Sequence, residues 1–364
     1  MHNLTVVKRM WINSKKRSHL NILLMLTVII TGCLPASAAN NDSAAISLRQ
    51  QISRAAQPYA LDIATWEIGN LVRPLDDDGL APVAIDGAEL RGQISQVIQE
   101  NNLAVLPPVH FRIDRPPCLL VVSPRDRIAY FDRILLDPDL SETEVQTIEK
   151  QVNSLNLSSL VVELGGLGAA YPAIVSPELR TKQLIDAAVE EWAHQYLAFR
   201  PLGFLYLLDS IGIRQDPDVI TMNETLAGMI ADEISSQVYQ RYYGSGAATA
   251  TPADNKSFDF AFEMRETRRK VDFLLDEGNV DEAESYMEGR RRLFTEKGYR
   301  IRKLNQAYFA FHGIYGQDPG SVSPIYEALK ELRSNYKSLA EFVASVSAMT
   351  GYKDLKLALH RDSN

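Results

Sequence analysis

The amino-acid sequence predicts an α+β protein, in which a small mixed sheet is followed by a mostly helical domain. Four short runs rich in β-branched or aromatic residues are separated by Pro, Asp and Gly, as strands are: residues 109–113, 118–124, 127–136 and 158–166. From Arg180 onward, apolar residues recur at the spacing typical of helices, and no internal repeat is visible. The chain is long enough for one large domain or two smaller ones.

The N-terminal segment, residues 1–32, has the features of a lipoprotein signal peptide. It contains five basic side chains and no acidic one, followed by the apolar run LNILLMLTVII. This run is too short to span a bilayer, which needs about 20 residues. It ends in ITGC (30–33), which resembles a bacterial lipobox, and Met10 is an alternative start. We therefore expect Cys33 to be acylated and to anchor the protein to a bacterial membrane, in the cell envelope outside the cytoplasm. The alternative is ordinary cleavage after ASA (36–38).

Cysteine content and charge exclude several classes of protein. Cys33 and Cys118 are the only cysteines, so lipidation of Cys33 leaves no disulfide to support the fold. From Cys33 onward, 33 basic residues stand against 46 acidic ones, which gives a net charge of −13. Such an acidic domain is a poor partner for nucleic acid, whose phosphates require Lys and Arg. We expect no nucleic-acid partner, and membrane attachment through lipid rather than a basic surface.

The region after the signal peptide is predicted to be a tether followed by helices. Residues 33–43 are small and polar, as in a flexible linker. Residues 44–107 form the N-terminal helical segment, in which the first helical pattern is kinked or divided by Pro58. A second, amphipathic helix is expected over Ala88 to Glu100.

The rest of the chain is predicted in three parts. Residues 108–243 carry the strands and the helices that follow them, including a helix that opens with a capping box at Ser141 and runs to about Leu155. Residues 244–257, GSGAATATPADNKS, have the composition of a flexible surface loop. Residues 258–364 form a C-terminal helical region.

The stretch VEEWAHQYLAFRPLG, residues 189–203, has side chains spaced to bind a metal. On a helix, residues four apart lie on one face, so Glu190 and His194 can point at the same ion. Glu191 then lies about 100° round the helix, beside them. Paired glutamates on a helix are usually a solvated face, so the motif needs support from elsewhere in the chain.

That support comes from the sequence NETLAGMIADEI, residues 223–234. It predicts a second helix that begins near Asn223, and the small side chains of Ala227, Gly228 and Ala231 allow another helix to approach closely. Glu224 at its start could supply a third ligand.

The motifs EEWAHQYL, RPLG and MNETLAG, in this order, resemble those of a gluzincin, the thermolysin-type class of zinc metallopeptidase. The chain is more closely similar to bacterial gluzincin-like proteins with the helix H-E-W-x-H-x-Y-L, over roughly residues 161–315. The resemblance implies a gluzincin-like metallopeptidase domain that uses zinc or another divalent metal on a peptide or protein substrate. It makes Glu191 the general base and His194 and Glu224 metal ligands. Glu190 occupies the first-ligand position, where the family has histidine.

A glycine-containing segment also fits this resemblance. VVELGGLGAAYPAIV, residues 161–175, lies where gluzincins have the edge strand that pairs with an extended peptide. Gly165, Gly166 and Gly168 would permit close backbone approach, and the substrate-binding candidates are Gly165, Gly166 and Tyr171. The alternative is a buried strand with a Gly-rich turn.

Aromatic residues near the C terminus are further candidates. NQAYFAFHGIYG, residues 305–316, has Tyr308, His312 and Tyr315 at helical spacings of four and three. The resemblance implies that a Tyr or His stabilises the oxyanion, and we assign this catalytic role to Tyr308 and His312. The alternative is that these aromatics belong to the core.

The carboxylate of Glu190 changes the chemistry expected of the site. With Glu190, His194 and Glu224 as ligands, the ligand set carries −2 and neutralises a divalent ion, which makes it a weaker Lewis acid. The metal preference could also move from zinc toward manganese or iron. Three hypotheses therefore stand: a weakened peptidase, an inactive pseudopeptidase that binds peptides or a partner protein, and a structural lipoprotein whose motif order is coincidental.

Overall fold

A computed structural model describes residues 43–73, 86–210, 212–244 and 258–362. Within these ranges, thirteen α-helices and six strands confirm the predicted α+β class. The predicted signal peptide, Cys33 and nearly all of the tether and of the 244–257 loop lie outside the described residues. No helix in the described ranges is long and apolar enough to cross a membrane.

The secondary-structure elements are as follows. The helices are α1 (Ser43–Ala56), α2 (Ile63–Val72), α3 (Gly87–Glu100), α4 (Glu142–Asn153), α5 (Thr181–Leu197), α6 (Pro201–Ser210), α7 (Pro217–Tyr242), α8 (Phe260–Asp276), α9 (Val280–Glu296), α10 (Gln306–His312), α11 (Ile325–Ser334), α12 (Leu339–Ser347) and α13 (Tyr352–Asp362). The strands are β1 (Phe111–Ile113), β2 (Cys118–Pro124), β3 (Asp132–Leu136), β4 (Leu157–Glu163), β5 (Gly166–Leu167) and β6 (Ala173–Val175).

Local signals predicted several of these elements well. A 3₁₀ helix that contains Pro58 separates α1 from α2, as expected from a residue that cannot donate a helical hydrogen bond. Helix α4 begins with the predicted capping box, in which the Ser141 hydroxyl and the Glu144 carboxylate bond to each other's backbone N–H groups. Helix α3 begins one residue before the predicted Ala88.

The predicted small mixed sheet is present, but the strands form two three-stranded sheets rather than one. The first sheet has the order β3-β2-β4 and is antiparallel throughout. The second has the order β1-β6-β5, with β1 parallel and β5 antiparallel to β6. Pro116 and Pro117 separate β1 from β2. Because neither proline has an N–H to donate, β1 and β2 do not continue into one hairpin and join different sheets.

Two main hydrophobic cores are built around these sheets. The larger core packs α5 against α7, with α3, the strands β1 and β6, and the helices α11 to α13 around them. The other core packs α1 and α4 on one face of the first sheet. The predicted N-terminal helical segment is therefore divided, since α1 belongs to one core and α3 to the other.

Helix α10 covers the opposite face of the first sheet, where Ala307 and Ala310 pack on Val121 and Leu160. The chain just before α10 is held by Glu149 of α4. The Glu149 carboxylate, which is 5% exposed, accepts from the backbone of Val161 at 2.8 Å. It also accepts from Arg302 at 2.7 Å and from Lys303 at 3.1 Å. These bonds position the C-terminal region relative to the sheet.

Replacing Glu149 with alanine is expected to lower the free energy of unfolding by about 2 to 3 kcal/mol. This loss of stability is smaller than the loss expected on breaking a fully buried ion pair, because the Arg302 side chain is partly exposed to water. Chemical denaturation of the full chain measures the effect. Gln151→Ala on the exposed side of the same helix is the control, with an expected change within about 0.5 kcal/mol. Equal stability of the two variants would contradict the role assigned to Glu149.

Candidate metal centre

Helix α5 presents its metal-binding candidates on one face because its other faces are buried. Leu184, Ile185, Ala188 and Val189 are almost fully buried in the larger core. The indole N–H of Trp192 donates to the carbonyl of Pro107 at 3.0 Å, which fixes the rotation of the helix. Glu190 and His194 are then left partly exposed, one turn apart.

Helix α7 supplies the third candidate but begins earlier than predicted. Asp216 caps the helix by accepting from the N–H groups of Asp218 and Val219, and Pro217 takes the first helical position. The prediction of a start near Asn223 is therefore wrong by six residues. Glu224 consequently lies in the interior of the helix, 4% exposed, rather than at its N terminus.

The three candidate side chains converge on one point. One ligand atom from each of Glu190, His194 and Glu224 lies within 4.8 Å of the other two. His194 Nε2 is 3.3 Å from Glu224 Oε2. Two ligands at zinc-binding distance in a tetrahedral site are about 3.3 to 3.6 Å apart. The arrangement therefore fits a divalent ion after a small movement of the carboxylates.

Two buried oxygen atoms beside His194 give a separate test of this fit. Glu224 Oε1 accepts from the Tyr206 hydroxyl at 2.7 Å, whereas Glu224 Oε2 faces His194 Nε2 at the ion-pair distance of 3.3 Å and makes no well-aligned hydrogen bond among the described residues. Asn223 is fully buried, and its Oδ1 also has no partner there. A buried oxygen that lacks a good donor is costly unless a further group binds it. A cation between Glu224 and His194 would satisfy Oε2.

The Asn223 amide controls which ring nitrogen of His194 is available to a metal. Asn223 Nδ2 lies 3.2 Å from His194 Nδ1. In this orientation Nδ1 accepts, so a neutral ring carries its proton on Nε2, facing Glu224. Rotating the amide by 180° places Oδ1 against Nδ1–H and frees Nε2 for a metal, and this rotation also satisfies the orphaned oxygen.

Replacing Asn223 with alanine is expected to weaken metal binding about 10- to 100-fold, because the ring loses the acceptor that fixes its tautomer. Isothermal titration with zinc measures the effect. Asn223→Asp is the matched control, since its carboxylate also accepts from Nδ1–H and should retain most of the affinity. Equal losses in both variants would contradict the acceptor role.

Three carboxylates surround the single imidazole. Burial opposes protonation of His194, but the charges of Glu224, Glu191 and Glu190 raise its pKa to about 9. Burial and the neighbouring carboxylates raise the pKa of Glu190 to about 7. Burial would also raise the pKa of Glu224, but His194, the Tyr206 hydroxyl and Arg133 together lower it. A divalent cation would favour the ionised form of each carboxylate.

Glu191 points toward the glycine segment. A Cβ on Gly166 or Gly168 would collide with the Glu191 side chain, so only glycine permits this close packing. The N–H of Gly168 donates to the carboxylate, yet burial is the largest effect and raises the pKa of Glu191 to about 8. Gln195 secures the segment by donating to the carbonyls of Gly168 and Ala170 at 3.2 and 2.9 Å.

The predicted substrate strand, residues 161–175, is divided into three elements. Its start belongs to β4, its middle forms β5, and its end forms β6. Strand β5 is an edge strand within the described sheet, pairing only with β6, and it contains Gly166. Gly165 accepts from Ser176 N–H at 2.9 Å and thus helps to hold β5. Tyr171 donates to or accepts from His110 Nδ1 at 2.8 Å, and burial raises its pKa to about 12.

Tyr308 and His312 contact each other, and neither makes a hydrogen bond or ring contact with Glu190, His194 or Glu224. His312 Nδ1 lies 2.8 Å from Asp318 Oδ2, and the ring of Tyr308 packs against His312 with centroids 4.1 Å apart. Tyr315 lies nearer. Burial is the main cause of its raised pKa, and the charges of Glu224 and Glu190 add to it. The next residue, Gly316, donates its N–H to the hydroxyl of Thr225 at 3.1 Å.

Tyr206 is the site residue that the sequence left unrecognised. Its hydroxyl holds Glu224, and its ring stacks on His194 with centroids 5.6 Å apart and planes 19° apart. Helix α6 reaches this position because Gly203 lies against the Leu197 carbonyl, where a Cβ would collide. The RPLG motif was therefore the available signal, since it indicates a tight turn that returns the chain to His194.

Comparisons with protein-family models, curated proteins and solved structures found no match. The gluzincin resemblance rests on the three quoted motifs.

Proposed function

We propose that this protein is a metal-dependent peptidase whose activity is weakened by its first ligand, Glu190. A lipid anchor at Cys33 would hold it at the membrane, outside the cytoplasm. The observation that carries the proposal is the convergence of Glu190, His194 and Glu224, with ligand atoms within 4.8 Å of one another. Glu191 adds a carboxylate beside this cluster, packed under a glycine-rich edge strand. The anchor and the extracytoplasmic location rest on the sequence alone.

The residues take distinct roles in hydrolysis of a peptide bond. Glu190, His194 and Glu224 would hold the ion. When bound, a divalent ion supplies Lewis-acid polarisation of the peptide carbonyl and makes water more acidic. Glu191 accepts a proton from the attacking water and delivers it to the leaving amine. The N–H and C=O groups on the free edge of β5 orient the extended peptide above the helix.

Tyr315 replaces Tyr308 and His312 as the candidate oxyanion donor. It is the aromatic side chain of the 305–316 segment whose phenol feels the charges of both Glu190 and Glu224. Burial keeps this phenol protonated at neutral pH, so it can donate a hydrogen bond to negative charge on the carbonyl oxygen.

A second candidate function is a metal-free pseudopeptidase that binds peptides. The observation that favours it is the raised pKa of His194, about 9, because a protonated ring can pair with Glu224 without any ion. The raised pKa values of Glu190 and Glu191 further reduce the negative charge of the cluster near neutral pH. The same glycine strand would still bind an extended peptide.

Metal analysis separates the two candidates. The full chain, purified in detergent, should bind one zinc or manganese ion and cleave a mixed peptide library. Protons on His194 and Glu190, with pKa values of about 9 and 7, must leave when the ion binds. Apparent affinity should therefore rise from about pH 6 to about pH 9, with proton release. A folded chain that binds no divalent ion at any pH would favour the pseudopeptidase.

A further inference from the structure

Arg133, on β3, is a cation close to the proposed metal centre that makes no direct ion pair with any other described residue, although its charge acts on Asp132, Asp209 and Glu224. It lies opposite Val121 in the first sheet and so shares the face that α10 covers. Its guanidinium donates from Nη2 to the carbonyl of Ser210, the last residue of α6, at 2.5 Å. Among the described residues it makes no ion pair, and the side chain is exposed.

A short series of contacts leads from Arg133 to the metal ligands. Ser210 lies one turn after Tyr206 on α6, and its side chain is close enough to influence the pKa of the Tyr206 hydroxyl. That hydroxyl donates to Glu224 Oε1 at 2.7 Å. Arg133 is close enough for its charge to act on Glu224. The guanidinium therefore stands at the rim of the site, on the side of α6.

The charge around the site makes this arginine unusual. The carboxylates of Glu190, Glu191 and Glu224 line the centre, and the whole chain carries a net charge of −8. Such surroundings disfavour a peptide carboxylate unless a cation lies beside it. A guanidinium has five N–H donors in a planar fork that matches a carboxylate, and Arg133 uses one of them on Ser210.

We propose that Arg133 determines specificity by binding a carboxylate of the peptide substrate, so that the protein prefers peptides with a carboxylate a short distance from the scissile bond. This inference rests on the proposed peptidase or peptide-binding function of the same site. The carboxylate comes from the C terminus of a short peptide or from an Asp or Glu side chain, since both present the same chemistry to the guanidinium.

Binding of defined peptide pools to the full chain carrying Glu191→Gln tests the proposal without turnover. Three pools of random pentapeptides serve as probes: free acids without Asp and Glu, the corresponding C-terminal amides, and amides that include Asp and Glu. We expect one carboxylate-bearing pool to bind about 10- to 100-fold more tightly than the plain amides. The free-acid pool identifies a terminal carboxylate, and the third pool identifies a side chain.

Arg133→Gln should abolish this preference while retaining a donor for the Ser210 carbonyl. Arg127→Gln removes the same charge from a side chain that pairs with Asp126 in the β2–β3 turn, and should retain the preference. A merely structural role for Arg133 would lower the melting temperature without changing discrimination between acid and amide.

Three outcomes would overturn the proposal: equal binding of all pools, a preference that survives Arg133→Gln, or no binding of any pool. The zinc content of the same preparations distinguishes a failure of this proposal from a failure of the metal centre. If the chain contains no zinc but still prefers carboxylate-bearing peptides, the role of Arg133 stands and only the metal-dependent activity is overturned.

Discussion

Replacing Glu191 with glutamine is expected to lower peptide hydrolysis by about 10²- to 10⁴-fold while zinc content stays at the parent level. The size of the loss is that of a general base removed from its position. Glutamine has the same shape but cannot accept the proton of the attacking water. Zinc should remain because Glu191 packs against Gly166 and Gly168 beside the cluster and is not one of the three converging ligands, Glu190, His194 and Glu224.

Cleavage of a quenched peptide library by the full chain measures this effect, beside zinc analysis and a melting curve. Glu178→Gln is the control, because this carboxylate is exposed and lies just before α5, outside the site. Its rate should stay near that of the parent. Loss of zinc in Glu191→Gln would mean that Glu191 is a ligand, and an unchanged rate would remove it from the mechanism.

Replacing Glu190 with histidine is expected to raise zinc affinity by about tenfold or more, and peptide hydrolysis with it. The ligand set falls from −2 to −1, so the bound ion regains net positive charge and becomes a stronger Lewis acid. An arginine partner of Glu190 would oppose the change. The charges that act on Glu190 are instead those of His194, Glu224, Asp232 and Asp186.

The effect of this substitution on stability has a definite sign. Burial raises the pKa of Glu190 in the folded protein to about 7 from an ordinary value of 4.5, so the folded state holds this proton more tightly than the unfolded chain. Stability of the parent therefore falls as pH rises from about 4.5 to 7. In the Glu190→His variant, the imidazole is neutral above pH 7, so this loss of stability is absent. The melting temperature of the variant at pH 8 should therefore not be lower than that of the parent.

Glu190→Gln is the matched control for Glu190→His. It removes the same buried charge and should be equally stable, but its amide is a poor zinc ligand. Higher zinc affinity in the histidine variant alone would attribute the gain to the imidazole. A folded histidine variant that still binds no zinc would mean that other parts of the site have decayed, and the pseudopeptidase function would then replace the peptidase.

Local interactions explain why much of the site was predictable from the sequence. The spacing of Glu190 and His194 places them on one helical face wherever that helix packs, because the period of a helix is independent of its surroundings. The capping box at Ser141 and the break at Pro58 likewise depend on neighbouring residues. The convergence of Glu224 with this pair followed from the small residues on its helix, although the start of that helix was misplaced because the cap at Asp216 was not recognised.

Contacts between distant parts of the chain decided the rest. Among the aromatics of residues 305–316, which share one helical pattern, the sequence favoured Tyr308 and His312. The structure pairs His312 with Asp318, packs Tyr308 against it and leaves Tyr315 to feel the charges of the ligands. The sequence by itself therefore determined the α+β class, the helical face of Glu190 and His194, and the residue types of the site. Only the tertiary structure decided the two sheets, the rotation of α5 and the approach of Tyr206 and Arg133, because these depend on how separate cores pack.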